Sequence, residues 1–239
     1  MAQKRVGIRN GALVSPSSGI ITDGLVLNLD AGDTSSYPGT GTEWFDLTSN
    51  NNDGVLTNGA SYVTDGGGSI LFDGVNDFVD CGNDTSFDIT QTLTLECWVK
   101  KSTKGGYHHL ISKFPGSNCS YLLGTGLGGQ PFFQRSTSGY NQGKNGTFNL
   151  DICDDNWYHV VVSYNSLSST LIMSVNGVTQ TFSLSGDIHV STTNVNIAKR
   201  TNVGQYFPAN IPVARIYNNA LTESQIQQNY NATKGRFGL

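Results

Sequence analysis

The chain has 239 residues, of which 13% are charged, and carries a formal net charge of −4. Aromatic residues at 10% and apolar residues at 37% exclude a disordered chain, and the length holds one large all-β domain or two small ones. Scattered basic residues under a net negative charge argue against nucleic acid or an anionic membrane as partner, and no apolar run nears the roughly 18 residues of a membrane span.

Residues 1–22, MAQKRVGIRNGALVSPSSGIIT, differ from the rest of the chain. Lys4, Arg5 and Arg9 precede a Ser-Pro-Ser-Ser-Gly break, and no period is sustained. The stretch is expected to be an N-terminal arm, either frayed or docked on a partner. Its opening lacks the apolar core of a secretory signal, which implies folding in a cytoplasm.

One domain is expected over 23–239. LVLNLD (25–30) is its first strand, and SILFDGVNDFVDCG (69–82) reads as a hairpin of two short strands around a glycine-containing turn. In TLTLECWVKK (92–101), Leu93, Leu95, Cys97 and Val99 share one face, with Thr94, Glu96, Trp98 and Lys100 on the other. YHHLISKF, YLLG and PFFQR come next as short strands, then NWYHVVVSYN (156–165) and TLIMSVNGVTQTFSL (170–184). Asn176-Gly177 between alternating apolar runs predicts a tight hairpin. VNIAKR and NIPVARIYN close the strand series. Pro212 cannot donate to a ladder, so an edge or a bulge is expected there. The end is helical: Thr222 and Gln225 form a capping box, with Leu221 and Ile226 as its hydrophobic staple. About a dozen strands and one short C-terminal helix imply a two-sheet antiparallel sandwich.

Cys81, Cys97, Cys119 and Cys153 are widely separated and read as buried free thiols rather than a zinc site. His108 and His109 are neighbours on a strand, so they face opposite ways. His159 reads as structural, since no acid or nucleophile accompanies it in sequence.

Four stretches taken together resemble the laminin-G-like or concanavalin A-like jelly-roll family. They are LNLDAGDTSSYPGTGTEWFDLTSNNNDGVLTNGASY, GGSILFDGVNDFVDCG, NWYHVVVSYNSLSSTLIMSVNG and ARIYNNALTESQIQQNYNATKGRFG, in this order, across roughly residues 24–236. The resemblance implies an all-β jelly roll. The closing QNYNATKGRFGL is most similar to versions carried by tailed bacteriophages, in tail fibres and capsid decorations. The family often has acidic residues after the isoleucine of the last strand, where this chain has Pro212-Val213-Ala214.

That resemblance implies three functions. Glycoside hydrolysis needs two carboxylates roughly 5–10 Å apart, which glucanases of this fold place on one strand. Here the glutamates are Glu43, Glu96 and Glu223, and only Glu96 is expected in a strand, without an acid at 94 or 98. Asp151, Asp154 and Asp155 read as loop residues, so the chain is expected not to be an enzyme. A lectin is the second function, with calcium and a sugar at the loop end. Asp73, Asn76 and Asp77 carry oxygen atoms of the kind calcium takes, but equally the groups a tight turn demands, and the turn is preferred. Tyr107, Tyr121, Tyr140 and Tyr206 offer faces on which a sugar stacks, without naming a binding site. The third function, and the leading one, is a non-enzymatic virion component, either a capsid decoration or a tail or fibre subunit. It would assemble with other virion proteins or with copies of itself, through arm 1–22, and glycan binding is its alternative and compatible role.

Overall fold

The alternation that begins at Leu25 builds strands, and the strands close into two sheets. A computed structural model describes residues 19–200 and 205–239. Positions 1–18 of the expected arm lie outside the described residues. The first half of the chain forms β1 (Leu25–Asp30), β2 (Glu43–Trp44), β3 (Gly54–Thr57), β4 (Ser61–Val63), β5 (Ser69–Phe72), β6 (Phe78–Asp80), β7 (Thr92–Lys100) and β8 (His108–Ser112). The second half adds β9 (Tyr121–Thr125), β10 (Pro131–Arg135), β11 (Gly146–Thr147), β12 (Trp157–Asn165), β13 (Thr170–Val175) and β14 (Val178–Ser183). After them come β15 (Asn196–Ile197), β16 (Ala209–Tyr217) and the helix α1 (Glu223–Thr233).

One sheet runs β14-β13-β12-β7-β16-β5-β4, with β1 also paired to β16; the other runs β11-β10-β9-β8-β15-β6-β3-β2. Every pairing is antiparallel. This is the two-sheet sandwich expected from the sequence, with one helix at the C-terminal end. The inner faces meet in one core: Leu93, Leu95, Cys97 and Val99 of β7 and Val160 and Val162 of β12 join Leu123, Phe133 and Ile197 of the opposite sheet. All four cysteines are free and buried.

The outer face of the first sheet is covered. Trp98 and Val213 pack with Phe237, and Val161 and Tyr217 pack with Leu221 and Ile226. The Thr222 hydroxyl and the Gln225 amide close the capping box at the start of α1, and the staple residues Leu221 and Ile226 share that cluster. Beyond α1, Phe237 stacks on Trp98 at 4.0 Å between ring centroids. Arg236 donates to the carbonyls of Gly66 and Gly68 and pairs with Asp30. The closing residues thus seal this face.

Local expectations met two different outcomes. At Asn176-Gly177 both φ angles are positive, 50° and 79°, and Val175 pairs with Val178, as a two-residue hairpin requires. Pro212 sits where the β16 register shifts between Asn210 and Val213, so the chain uses a bulge and not an edge. The hairpin expected over 69–82 does not form. Strand β5 pairs with β4 and β16 in the first sheet, whereas β6 pairs with β3 and β15 in the second. The segment is a corner that carries the chain from one sheet to the other, because each strand finds its ladder with a distant partner.

Candidate functional site

The residues singled out in the sequence are spread over several places. At the corner, Asp73 and Asp77 come together: the Val75 amide donates to Asp73 Oδ1 at 2.7 Å, and the Asp73 amide donates to Asp77 Oδ2 at 3.1 Å. The Asn76 carbonyl accepts from Asn58 Nδ2 at 2.9 Å. Amide hydrogen bonds, led by that of Val75, hold Asp73 below the usual carboxylate range, while burial lifts Asp77. Among the described residues no three His, Cys, Asp or Glu side chains group as a metal site would require. The oxygens at this corner satisfy a turn, and two carboxylates with an asparagine fall short of a calcium cage of six to eight oxygens.

Glu96 is fully buried on the outer face of the first sheet, beneath α1. Its Oε1 accepts from Arg215 Nη1 at 2.7 Å and from His159 Nε2 at 3.1 Å, and its Oε2 from Asn229 Nδ2 at 2.6 Å and the Tyr217 hydroxyl at 3.3 Å. Burial alone would raise the carboxyl, but Arg215, His159 and Asn229 outweigh it and bring it down to about 2. Four donors and no solvent contact make this a structural junction between β7, β12, β16 and α1. His159 therefore does have an acid partner, supplied by the neighbouring strand. In the loops, Asp151 pairs with Lys104, and Asp154 accepts from Asn156 and Tyr158.

The outer face of the second sheet holds a cavity of about 400 Å³, within the roughly 300–1,000 Å³ common for small-ligand pockets. Strand parity builds it. On β10, Phe132 and Gln134 line the cavity, while Phe133 between them enters the core. His109 of β8 lines it as well, whereas its neighbour His108 packs on the core residue Phe207 at 5.5 Å between ring centroids. Between them on β9, Gly124 is in register with both His109 and Phe132. A Cβ at Gly124 would lie 2.3 Å from the His108 carbonyl oxygen and 3.2 Å from the Phe132 ring. The floor must be bare for the two rings to sit 6.4 Å apart across it.

Tyr107 stands edge-on to Phe132 at 6.0 Å and is 42% exposed. Lys144 reaches over both rings at 4.8 Å, and Gln134, Asn141, Arg200 and Gln205 complete the wall. Burial, then Arg200 and His108, bring His109 down to about 3, so its imidazole is neutral at ordinary pH. Its Nδ1 is buried and has no hydrogen-bond partner, and neither has Arg200 Nε. Buried polar atoms left unpaired are uncommon and costly, and these two belong to residues of one cavity wall. Of the tyrosines raised as stacking faces, only Tyr107 lines this cavity. Tyr121 is buried in the core, Tyr140 is exposed and Tyr206 packs near Phe78 at 6.3 Å.

A larger groove of about 660 Å³, lined by Asn50–Asp53, Asp80, Asp84 and Asn194, contains no aromatic ring. Its polar groups are engaged within the fold: Asn52 donates to the Val26 carbonyl and to Ser86, and Asp80 accepts from Asn194. The aromatic-walled cavity is the better candidate.

The profile of the concanavalin A-like lectin/glucanases superfamily matches residues 72–227, more than half of the chain. The chain belongs to that superfamily. No curated protein sequence matches this superfamily member, whereas solved structures share its fold. Domain 4 of AbnA, an extracellular GH43 arabinanase from Geobacillus stearothermophilus solved with arabinotriose, is 15% identical with a TM-score of 0.67. That match covers 87% of this chain and 98% of the domain. The binding domain of Paraclostridial Mosquitocidal Protein 1 gives 15% identity and a TM-score of 0.68 over 87% of this chain. Trypanosoma rangeli sialidase in complex with sialic acid gives 18% and 0.63 over 91%. This superfamily member spans 52% of the mosquitocidal binding domain and 34% of the sialidase. At these identities the likeness is one of fold.

Proposed function

We propose that the chain is a non-catalytic glycan-binding module and that the cavity over Gly124 holds the sugar. The observation that carries this reading is the neutral, partnerless His109 Nδ1 beside Phe132, whose ring the exposed Tyr107 meets edge-on. Sugars present C–H faces that pack on aromatic rings, and hydroxyls that donate to and accept from amides and imidazoles. The cavity wall supplies both, with Gln134, Asn141 and Gln205 as the amides. The AbnA domain of the same fold, solved with arabinotriose, supports the reading at the level of fold. The non-catalytic part rests on Glu96, which is sealed under α1 and away from solvent.

The test is retention of the full chain on an array of neutral and acidic glycans, repeated with Tyr107→Ala. Tyr107 is partly exposed, so the variant keeps the fold. Loss of the ring contact is expected to weaken binding about tenfold or more. If no glycan is retained, or if retention survives Tyr107→Ala, the site is wrong.

A virion role is a second reading of the same module, and both can hold in one protein. It rests on the sequence of the arm 1–22 and of QNYNATKGRFGL. In the fold Tyr230, Arg236 and Phe237 of that closing stretch hold down the first sheet, which accounts for these residues without a virion. Copy number by mass spectrometry in purified particles decides it: hundreds of copies mean decoration, a handful mean tail or fibre, and none removes the role.

A further inference from the structure

The cavity has an unbalanced charge. Lys144 and Arg200 line it, and no Asp or Glu does. Elsewhere Lys100, Lys104, Lys113, Arg215 and Arg236 each pair with a carboxylate. Lys144 and Arg200, like Lys101, Arg135, Lys199 and Lys234, have no such partner among the described residues, and stretches 1–18 and 201–204 contain no Asp or Glu to supply one. The chain as a whole is acidic at −4, whereas this wall carries two cations and no carboxylate.

We infer that the cavity selects glycans bearing a sugar carboxylate, held by Arg200 and Lys144 while the ring packs against the exposed Tyr107. The inference rests on the glycan-binding reading above and adds its charge class. Arg200 contacts Gln205 through Nη1 at 3.4 Å, whereas its Nε is buried without a partner. A planar guanidinium presents donors in a fork that matches a carboxylate, and the unpartnered Nε is one donor of that fork. Lys144, above the aromatic rings, brings a second charge to the same wall. His109 is neutral beside Arg200 and supplies a hydrogen bond and not attraction. Arg200 contributes to holding His109 down, so an anion bound at Arg200 offsets that field and raises the histidine.

The experiment uses the full chain on uronic- and sialic-acid glycans printed beside their carboxyl-reduced, neutral counterparts. One charge-assisted contact predicts at least about tenfold stronger retention of the carboxylated member, weakening as salt is raised. Arg200→Gln and Lys144→Gln are each expected to bring that ratio close to one. Lys104→Gln, whose ammonium already pairs with Asp151, leaves it in place. In titrations followed by NMR, His109 moves upward when the carboxylated glycan is bound. If acidic and reduced partners are retained alike and Tyr107→Ala abolishes both, the charge inference falls and the site stands. If carboxylated glycans are preferred but the preference survives both cation variants, the anion binds elsewhere and the inference also falls. If Tyr107→Ala changes nothing, or no glycan is held, the glycan-binding reading itself fails.

Discussion

Glu96→Gln removes one charge from the buried junction and leaves its shape nearly unchanged. In the native chain the carboxylate faces Arg215, His159, Tyr217 and Asn229 with no exposed surface. The amide cannot balance Arg215, which would remain buried with its charge uncompensated. Breaking a buried pair in this way costs about 3–5 kcal/mol. A second route gives a similar size. The carboxyl falls from an ordinary 4.5 to about 2 on folding, and at about 1.4 kcal/mol per unit that drop is worth about 3–4 kcal/mol. Because the folded value is the lower one, this stability is present above the unfolded pKa and is lost as pH falls through the folded value. The window is therefore from about 4.5 down to about 2. Urea unfolding of both proteins at neutral pH and at steps across that window measures it. The wild type is expected to lose stability on acidification more steeply than Glu96→Gln, so the gap between the two narrows towards pH 2. A variant within about 1 kcal/mol of wild type at neutral pH, with an unchanged acid slope, would refute the structural role assigned to this carboxylate.

Two further perturbations test the other elements. Gly124→Ala places a Cβ 2.3 Å from a backbone oxygen; overpacking of this kind is expected to cost about 1–3 kcal/mol and to weaken glycan retention, and a variant with native melting and native binding would show that the floor need not be bare. Calcium at Asp73, Asn76 and Asp77 is checked by melting the protein with a chelator and with added calcium. No difference is expected, because the corner oxygens already accept amides, and a rise with calcium reversed by chelation would restore the metal.

Much of the fold is legible because it depends on parity. The apolar set Leu93, Leu95, Cys97 and Val99 enters the core, and alternation alone places Glu96 and Trp98 on the other face. The capping box and the Asn-Gly turn are equally local, since each is satisfied within a few residues. The two-residue strands β2 and β11 are too short to carry a period, so no pattern announces them. The segment 69–82 misleads for a different reason. Local turn chemistry at Asp73-Gly74 is the same whether the next strand returns to its neighbour or crosses to the other sheet, and only the long-range partners of β5 and β6 decide.

The candidate site is largely hidden in the sequence for the same reason. Tyr107 stands out as an aromatic face, and the opposed faces of His108 and His109 follow from strand geometry, but Lys144 and Arg200 reach the wall from separate loops. One usable signal is present: PFFQR, read with period two, puts Phe132 and Gln134 together, and Gly124 in the adjacent YLLGT leaves room above them. Glu96 is likewise visible as a strand acid, while its partners Arg215 and Asn229 lie 119 and 133 positions away.

The two faces of the sandwich then divide the work in a way that depends on the C-terminal end. Phe237 stacks on Trp98, Ile226 joins Val161 and Tyr217, and Arg236 anchors the chain to the carbonyls of Gly66 and Gly68. That closure turns the outer face of the first sheet into a second core and buries Glu96, the strand acid that glucanase chemistry would have needed. On the second sheet Phe114 and Cys119 pack over Leu122 and Phe132, and beside that small cluster the outer face keeps a cavity lined by the partly exposed Tyr107, a neutral histidine, Lys144 and Arg200. The helix that seals one face thus leaves the other for the proposed binding site, where Arg200 and Lys144 would set the charge class of the ligand.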